Sequence, residues 1–276
     1  FSCCCVSFAD EPMPVTVTAK AAVLMDVDSG KVLMSMNADE KLYPASVTKI
    51  MTLLLVTEAL DSGKISLSDT VTASASAASK GGSQIWLKEG EQMTVDDLLK
   101  ATAVYSANDA CTALGELLAG SDEAFTAMIN ERAGQLGMKN THFDNCTGLD
   151  DTTTTHLTTA MDVAIMSREL LKHEFVRQYT TLWQDTIRSG EFGLTNTNKL
   201  VRHYNGCTGL KTGFTSTAMY CLAASAERGG VEYIAVILHG ETSQLRFDAA
   251  RTLLDYAFAN YTLVMPETGA PDVPVS

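Results

Sequence analysis

The chain has 276 residues, 46% of them hydrophobic and 19% charged, and its formal net charge is −13 at pH 7. A chain of this length can bury one large core or two modest ones. No stretch approaches the roughly 18 uninterrupted apolar residues of a membrane span. An acidic chain without a basic patch is not expected to bind nucleic acid.

The first residues differ in character from the rest of the chain. Residues 1–9 are small and apolar, and a polar stretch begins at Asp10. Small residues end the apolar segment, as a signal peptidase requires, so we predict that residues 1–18 are the remnant of a secretory signal and a leader. The protein would then act outside the cytoplasm, either secreted or associated with the cell envelope. A leader without function and a lipoprotein cysteine among residues 3–5 are the alternatives.

The first predicted elements are a hairpin and a buried helix. Residues 22–27 and 31–36 have strand character and flank the turn signal Asp28-Ser29-Gly30. A long apolar run then predicts a buried helix that continues to about Leu60, where Asp61-Ser62-Gly63 ends it.

The later predicted elements indicate that the two ends of the chain come together in the fold. From about residue 43 to residue 171 the pattern is mostly helical, and strand character returns after residue 210. The remaining predicted elements are helices at 94–103, 110–118, 122–136 and 246–260 and a second hairpin at 218–226 and 231–239. We therefore predict an α/β fold in which strands from both ends of the chain form one antiparallel sheet, packed with helices around a central all-helical subdomain.

Three short motifs stand in order along the chain, and their combination carries the functional signal. They are Ser46-Val47-Thr48-Lys49, Ser106-Ala107-Asn108 and Lys211-Thr212-Gly213. Each is weak alone, since a second S-x-N begins at Ser35, although Ser46 is the only serine with a lysine three residues later. Together they resemble the penicillin-recognising serine hydrolases, whose S-x-x-K, S-x-N and K-T-G elements line one active site.

The first motif has a chemical rationale. Positions i and i+3 share one face of a helix, so Lys49 can reach the hydroxyl of Ser46 and act as its base. A lysine is a base only when neutral, which requires burial and a nearby cation to lower its pKa, and Lys211 is the candidate cation. At a helix N-terminus, Ser46 would also lie where backbone N–H groups favour a developing anion. An amphipathic helix with a surface lysine is the alternative.

Longer strings narrow the resemblance to one family. Residues 45–52, 87–91, 145–149 and 209–215 resemble the low-molecular-mass penicillin-binding proteins that are D-alanyl-D-alanine carboxypeptidases. The similarity extends from about Ala19 to Asn260. It implies a β-lactamase/transpeptidase-like fold, a penicillin-binding carboxypeptidase domain over residues 19–261, and removal of the terminal D-alanine from peptidoglycan stem peptides.

The resemblance also implies roles for the residues that carry out the reaction. Ser46 would be the acylated nucleophile and Lys49 the proton acceptor. Ser106 would relay a proton toward the leaving D-alanine. The backbone N–H groups of Ser46 and Phe214 would form the oxyanion hole, where donors must be preorganised for the developing negative charge.

Substrate binding is assigned in the same way. Asn108 would hold the peptide amide, and Lys211 and Thr212 would bind the terminal carboxylate, with Gly213 of the same motif also in the binding strand. β-Lactams are implied as inhibitors, and the peptidoglycan stem peptide ending in D-Ala-D-Ala as substrate. No cofactor is implied. The chain also shows no metal-ligand spacing, because the cysteines after residue 5 occur singly.

The chain departs from the family pattern before its third motif. Some members carry an arginine in the segment that corresponds to residues 195–200, where this chain has a threonine. Arg246 is the candidate to replace it at the substrate carboxylate, although an arginine at a helix start is often a surface residue. His156, within the family-like string 155–162, is interpreted as structural.

Two further expectations concern cysteines and the C-terminal end. A disulfide between Cys146 and Cys207 is conceivable, but two small buried thiols are favoured. Residues 262–276 are expected to be a linker toward a β-rich second domain and an amphipathic membrane helix, which family members usually carry. Membrane association would depend on that segment.

Three alternative functions remain open from the sequence. A class A β-lactamase shares the motifs but needs an E-x-x-x-N pattern after S-x-N, and residues 141–155 offer only Asp144, Asp150 and Asp151 as carboxylates. Ala107, where lactamases usually have aspartate, points the same way. A glutaminase of related fold is disfavoured by the K-T-G string. A non-catalytic penicillin sensor or wall-binding module would keep Ser46 and Lys49 without peptide turnover.

Overall fold

A five-stranded antiparallel sheet joins strands from both ends of the chain. The computed structural model describes residues 14–262. The strands are β1 Ala21–Asp26, β2 Val32–Met36, β3 Thr70–Thr72, β4 Gln92–Thr94, β5 Gln184–Ile187, β6 Phe192–Thr195, β7 Cys207–Thr215, β8 Met219–Arg228 and β9 Val231–Gly240. The large sheet has the order β2-β1-β9-β8-β7, and Ala21 of β1 lies opposite Leu238 of β9. Both predicted hairpins and the shared sheet are confirmed.

The five predicted helices are present with small shifts at their ends, and four further α-helices, which were not predicted individually, occur within residues 14–262. Together they are α1 Lys49–Asp61, α2 Ala75–Ala78, α3 Val95–Lys100, α4 Asn108–Ala119, α5 Asp122–Gln135, α6 Ala160–Leu171, α7 Arg177–Thr180, α8 Leu200–His203 and α9 Ser243–Asn260. Helix α9 begins three residues earlier than predicted, because the Thr242 hydroxyl accepts a hydrogen bond from the Leu245 N–H (3.1 Å) and caps it there.

The large sheet has a core on each face, as the alternation of side chains along a strand requires. On β1, Ala21, Val23 and Met25 pack in the larger core with helix α1 and the central helices. Ala22 and Leu24 point the other way and pack in a second core with α9. The sheet is therefore buried between helices, which makes its strands a rigid support for side chains at its edge.

The central part of the chain is not all-helical, which corrects that detail of the predicted fold. Strands β3 and β4 pair antiparallel within it, and β5 pairs with β6 in a further small sheet. The short strands β3 and β4 have three residues each, so period-two alternation is too brief to identify them. Residues 137–159 also contain no helix.

The predicted ends of the chain lie almost wholly outside the described residues. The signal remnant and leader (residues 1–18) and the linker (262–276) overlap the described range only at residues 14–18 and 262. Within residues 14–262 the structure has no helix that is both long enough and apolar enough to cross a membrane.

Candidate active site

Ser46 lies in a tight turn that leads into helix α1. A 3₁₀ turn spans Ala45–Thr48, and α1 begins at Lys49. Ala45 has a φ of +48°, an uncommon conformation for a residue with a side chain. Ser46 is half-buried, whereas Lys49 is fully buried. The nucleophile candidate is therefore accessible while the proposed base is shielded from water.

Lys49 contacts the Ser46 hydroxyl directly. Its Nζ lies 2.9 Å from Ser46 Oγ and 2.7 Å from the carbonyl oxygen of Thr147. Burial lowers the pKa of Lys49 from its ordinary value to about 8, although nearby Cys111, Cys146 and Asp109 oppose the change. A neutral amine can accept the Ser46 proton while one of its own N–H groups stays bonded to Thr147.

A second buried lysine lies on β7. Lys211 is 1% exposed, and its Nζ lies 3.1 Å from the Thr212 carbonyl oxygen. Burial, followed by repulsion from Lys49 and Arg246, holds the pKa of Lys211 well below its ordinary value. Because the two ammonium groups repel each other, the pair loses a proton more readily than either lysine would alone. Lys211 is thus close enough to Lys49 for the two charges to interact, while the predicted lowering of the pKa of Lys49 by Lys211 stays a prediction.

Ser106 is presented by a distorted helix end. A π-helical turn, Ala101–Tyr105, precedes it, and Ser106 itself has a φ of +67°. Such turns are rare and occur often at functional sites. The Ala107 N–H bonds to the Ala101 carbonyl (3.0 Å), which closes the turn. Ser106 is almost fully buried in this conformation.

Asn108, the first residue of α4, is hydrogen-bonded to the loop at residues 81–83. Its backbone N–H donates to the Ser83 carbonyl (2.7 Å), and its Nδ2 donates to the Gly81 carbonyl (2.7 Å). Its buried Oδ1 has no hydrogen-bond partner among residues 14–262. A buried acceptor left open is costly, so Asn108 offers an acceptor for an N–H donor.

Strand β7 runs directly against the turn that holds Ser46. A Cβ placed on Gly213 would lie 2.7 Å from the Pro44 carbonyl oxygen and 3.0 Å from the Ser46 nitrogen. Only glycine allows this approach without displacing the backbone. Phe214 follows with its ring half-exposed. The third motif thus lies beside the first, as the resemblance implies.

Residues 145–150 form a loop that belongs to none of the three motifs but completes the site. We call it the 145–150 loop. The Asn145 side chain holds it together, accepting from the Gly148 N–H (2.8 Å) and donating to the Leu149 carbonyl (2.8 Å). Within it, the Thr147 carbonyl binds Lys49. At its end, Asp150 accepts a hydrogen bond from Thr215 (2.6 Å), just beyond Phe214. The loop therefore connects the base to the end of β7.

His156 is hydrogen-bonded to Thr48 in the turn that holds Ser46. It does not titrate near neutral pH. The Asp144 N–H donates to its Nδ1 (3.0 Å), so Nε2 carries the proton and donates to Thr48 Oγ1 (2.8 Å). Burial lowers the pKa of His156 to about 4. The predicted structural role of His156 is confirmed.

Arg246 and the 195–200 segment both reach β7. Arg246 is buried, and its Nη1 donates to the carbonyls of Gly213 (2.9 Å) and Cys221 (3.2 Å). These bonds fix the strand that carries the third motif, and contact of Arg246 with a substrate carboxylate stays a prediction. Thr197, in the segment without arginine, lies 2.6 Å from the Thr212 hydroxyl (Oγ1 to Oγ1).

The four cysteines within residues 14–262 are free thiols, so the disulfide alternative for Cys146 and Cys207 is wrong. Both are free, Cys146 buried and Cys207 half-buried. Cys146 lies in the 145–150 loop, whereas Cys207 is the first residue of β7. Within the described range no three His, Cys, Asp or Glu side chains come together as a metal-binding group.

Several site features were not predicted from the sequence. The Thr147 carbonyl, the Asp150–Thr215 bond and the Thr197–Thr212 contact were all missed. A backbone carbonyl carries no residue-specific signal, and contacts between distant segments have no local pattern. The family-like string at residues 145–149 was the only indication that this loop belongs to the site.

Comparison with known proteins shows which family this chain belongs to. A family model described as D-alanyl-D-alanine carboxypeptidase, peptidase S11, matches residues 7–242. The chain belongs to this family, which confirms the resemblance.

Two relatives illustrate the similarity in sequence. D-alanyl-D-alanine carboxypeptidase DacF of Bacillus subtilis is 48% identical over 246 residues, which cover 88% of this chain and 63% of the relative. DacC of Escherichia coli is 40% identical over 258 residues, 91% of this chain and 64% of the relative. The chain therefore spans less than two thirds of the length of these relatives.

Solved structures show the same fold. Penicillin binding protein 6B from Escherichia coli superposes with a TM-score of 0.84 at 35% identity, covering 91% of this chain and 80% of that one. Penicillin-Binding Protein D2 from Listeria monocytogenes, solved in an ampicillin-bound form, gives 0.81 at 32% identity, with coverage of 88% and 99%. The predicted β-lactamase/transpeptidase-like fold is thus confirmed.

Proposed function

We propose that this chain is a serine-type D-Ala-D-Ala carboxypeptidase that removes the terminal D-alanine from peptidoglycan stem peptides and is inhibited by β-lactams. The contact between Ser46 Oγ and the buried amine of Lys49 (2.9 Å) carries the proposal. It pairs an accessible hydroxyl with a base whose pKa burial lowers to about 8. Such a pair is one recurring way to activate a serine nucleophile.

Acylation uses the three motifs together. Ser46 Oγ attacks the carbonyl carbon of the penultimate D-alanine as Lys49 takes its proton. The backbone N–H groups of Ser46 and Phe214 receive the negative charge that develops on the carbonyl oxygen. Ser106 donates its proton to the departing nitrogen of the terminal D-alanine and regains one from Lys49, which returns to its neutral form. Water then hydrolyses the ester on Ser46.

The substrate carboxylate has a second effect beyond binding. Lys211 and Thr212 bind it in our proposal, and a carboxylate beside Lys211 favours the charged form of that lysine. The charge on Lys211 in turn repels a proton on Lys49 and keeps Lys49 neutral. Substrate binding therefore promotes the protonation state that the base requires. Asn108 holds the substrate amide N–H with its open Oδ1, and Arg246 supports the carboxylate end of the site through Gly213.

The proposed setting follows from the substrate. Assembled peptidoglycan lies outside the cytoplasm, so we place the enzyme there, secreted or at the cell envelope. Attachment to a membrane would come from a segment that follows this domain.

The function is tested by measuring release of D-alanine from a peptide ending in D-Ala-D-Ala beside labelling with penicillin. We expect catalytic release, and a penicillin label on Ser46 alone after peptide mapping. A Ser46→Ala variant is the control and should show neither. Labelling without release would identify a non-catalytic penicillin sensor. A label on Ser106 or Ser35 would contradict the assignment of the nucleophile.

The penicilloyl adduct on Ser46 is predicted to persist far longer than the peptide acyl-enzyme. Residues 141–155 contain no glutamate to activate water; of their three carboxylates, Asp144 accepts from Thr155 (3.0 Å) and Asp150 accepts from Thr215 (2.6 Å) through one of its oxygens. The amine of an opened β-lactam stays tethered and obstructs water, whereas D-alanine departs. Release of the penicilloyl group after rapid acylation is measured in a single turnover. Several turnovers per second would instead indicate a β-lactamase.

A further inference from the structure

An exposed tryptophan is held on a rigid turn beside the second motif. Trp86 is 66% exposed and has a φ of +61°. Its two neighbours are buried, and the N–H groups of Ile85 and Leu87 both bond to the carboxylate of Asp109 (3.1 and 3.0 Å). A positive φ is uncommon for a residue with a side chain, and such strained positions cluster at functional sites, so the anchored backbone of Trp86 points to a role for its exposed ring.

Trp86 borders a cavity of about 630 Å³, which we call the Trp86 cavity. One wall is the turn around Trp86, and the other is formed by Arg188 and Phe192 at the β5–β6 hairpin. This volume is in the range of sites for small ligands, about 300–1,000 Å³. The cavity is open to solvent and is therefore accessible to part of a larger substrate.

Both walls of the Trp86 cavity are attached to the second motif. Asp109, which anchors the Trp86 turn, directly follows Asn108 in α4. On the other side, the ring of Phe192 packs edge-on against Tyr105 with centroids 5.7 Å apart, and Tyr105 directly precedes Ser106. A group bound in the cavity would thus lie next to the segment that holds the peptide substrate.

The unpaired charges of the cavity favour a cationic group. Arg188 is committed, donating to Glu91 (2.7 Å) and to the Ile85 carbonyl (2.7 Å). Three other charged side chains of the lining have no hydrogen-bond or ion-pair partner within the described residues: Lys88, Glu89 and Glu191. Two free carboxylates and an exposed indole outweigh the single ammonium. An alkyl ammonium can place its methylene groups on the indole and its charge near the carboxylates.

We propose that the Trp86 cavity binds the side-chain ammonium of a diamino acid residue that precedes D-Ala-D-Ala in the stem peptide. The inference rests on the proposed function and names the feature of the peptide that this site selects. Trp86 would contact the alkyl chain, and Glu89 and Glu191 would attract the ammonium. A sugar of the glycan strand stacked on Trp86 is the competing occupant.

Two peptides that differ in one side chain test the proposal. Acetyl-L-lysyl-D-Ala-D-Ala carries the free amine, and the norleucine analogue has a side chain of similar length without it. We expect the wild-type enzyme to favour the lysine peptide by about tenfold in kcat/KM, chiefly through KM. In a Glu89→Gln/Glu191→Gln variant this ratio should fall close to one, and Trp86→Ala should also reduce it.

A charge-matched control separates a local effect from a general one. Glu123→Gln/Glu174→Gln removes the same charge from exposed sites on other elements and should keep the tenfold preference. The stoichiometry of penicillin labelling counts the folded sites of each variant.

The outcomes also separate this inference from the proposed function. If the wild type hydrolyses both peptides equally, or if the glutamine variant keeps the preference, the ammonium site is overturned. If Trp86→Ala slows only glycan-linked substrate, the cavity binds sugar and the inference is wrong. If neither peptide loses D-alanine, the proposed carboxypeptidase function itself fails.

Discussion

Replacing Lys49 by arginine will reduce acylation of Ser46 by about 10³-fold or more, because guanidinium stays charged and cannot accept the serine proton. The wild-type enzyme should show the matching pH dependence. Lys49 must be neutral, and burial places its pKa at about 8. Acylation should therefore level off above about pH 8 and fall as the pH drops below it, about tenfold per unit. The second-order rate constant for penicillin acylation measures both effects.

Lys172→Arg is the control for this prediction. Lys172 is exposed and pairs with Glu169, so the same change of side chain should leave acylation intact there. Circular dichroism establishes that Lys49→Arg remains folded. Acylation by Lys49→Arg within tenfold of the wild type, or a rate that rises as the pH falls below 8, would remove Lys49 as the base.

Gly148→Ala is expected to lower acylation at least 100-fold, through a steric clash that displaces the 145–150 loop. Its Cβ would lie 1.8 Å from the Ala45 carbonyl oxygen and 2.8 Å from the Ser46 nitrogen. Both are backbone atoms and cannot rotate away. The shifted loop would withdraw the Thr147 carbonyl from Lys49 and distort the turn of the nucleophile. Such misplacement of reacting groups is costly, about 10²-fold per ångström.

Gly120→Ala is a closely matched control. Gly120 has the same φ of +89°, but no atom lies within 4 Å of a Cβ placed there. The two variants therefore share the backbone strain, which costs about 1 kcal/mol, and differ in the clash. We expect both to lose thermal stability, Gly148→Ala more than Gly120→Ala, and only Gly148→Ala to lose acylation per folded molecule. Equal acylation by the two variants would contradict the role assigned to the loop.

Local signals in the sequence predicted most of the main fold. The hairpins were predictable because alternating strands flank glycine-containing turns, and α3 because Thr94 caps it by accepting from the Asp97 N–H (3.1 Å). The strands β3 and β4 were not predicted, because three residues are too few to show the alternation of apolar and polar side chains that marks a strand. Their existence depends on pairing between separate segments, which no local pattern encodes.

The site was predictable to the extent that side chains define it. Ser46 and Lys49 were identified from their spacing, and the structure places their side chains in contact. The assignment of Ser106 and Lys211 required the resemblance, since each motif is common by chance. The 145–150 loop acts through a backbone carbonyl and through close packing of Gly148, and neither produces a spacing that can be read without a structure.

The pairing of β1 with β9 has a consequence for how the enzyme forms. Contacts between residues distant in the chain are slow to form, because a long loop must be closed before they are made. Strand β7 lies at the edge of the sheet and reaches β1 only through β8 and β9. The large sheet cannot therefore be completed before Leu238 is available to pair with Ala21. A nascent chain that has emerged only as far as Gly213 contains all three motifs and still lacks the strands that align the third with the nucleophile.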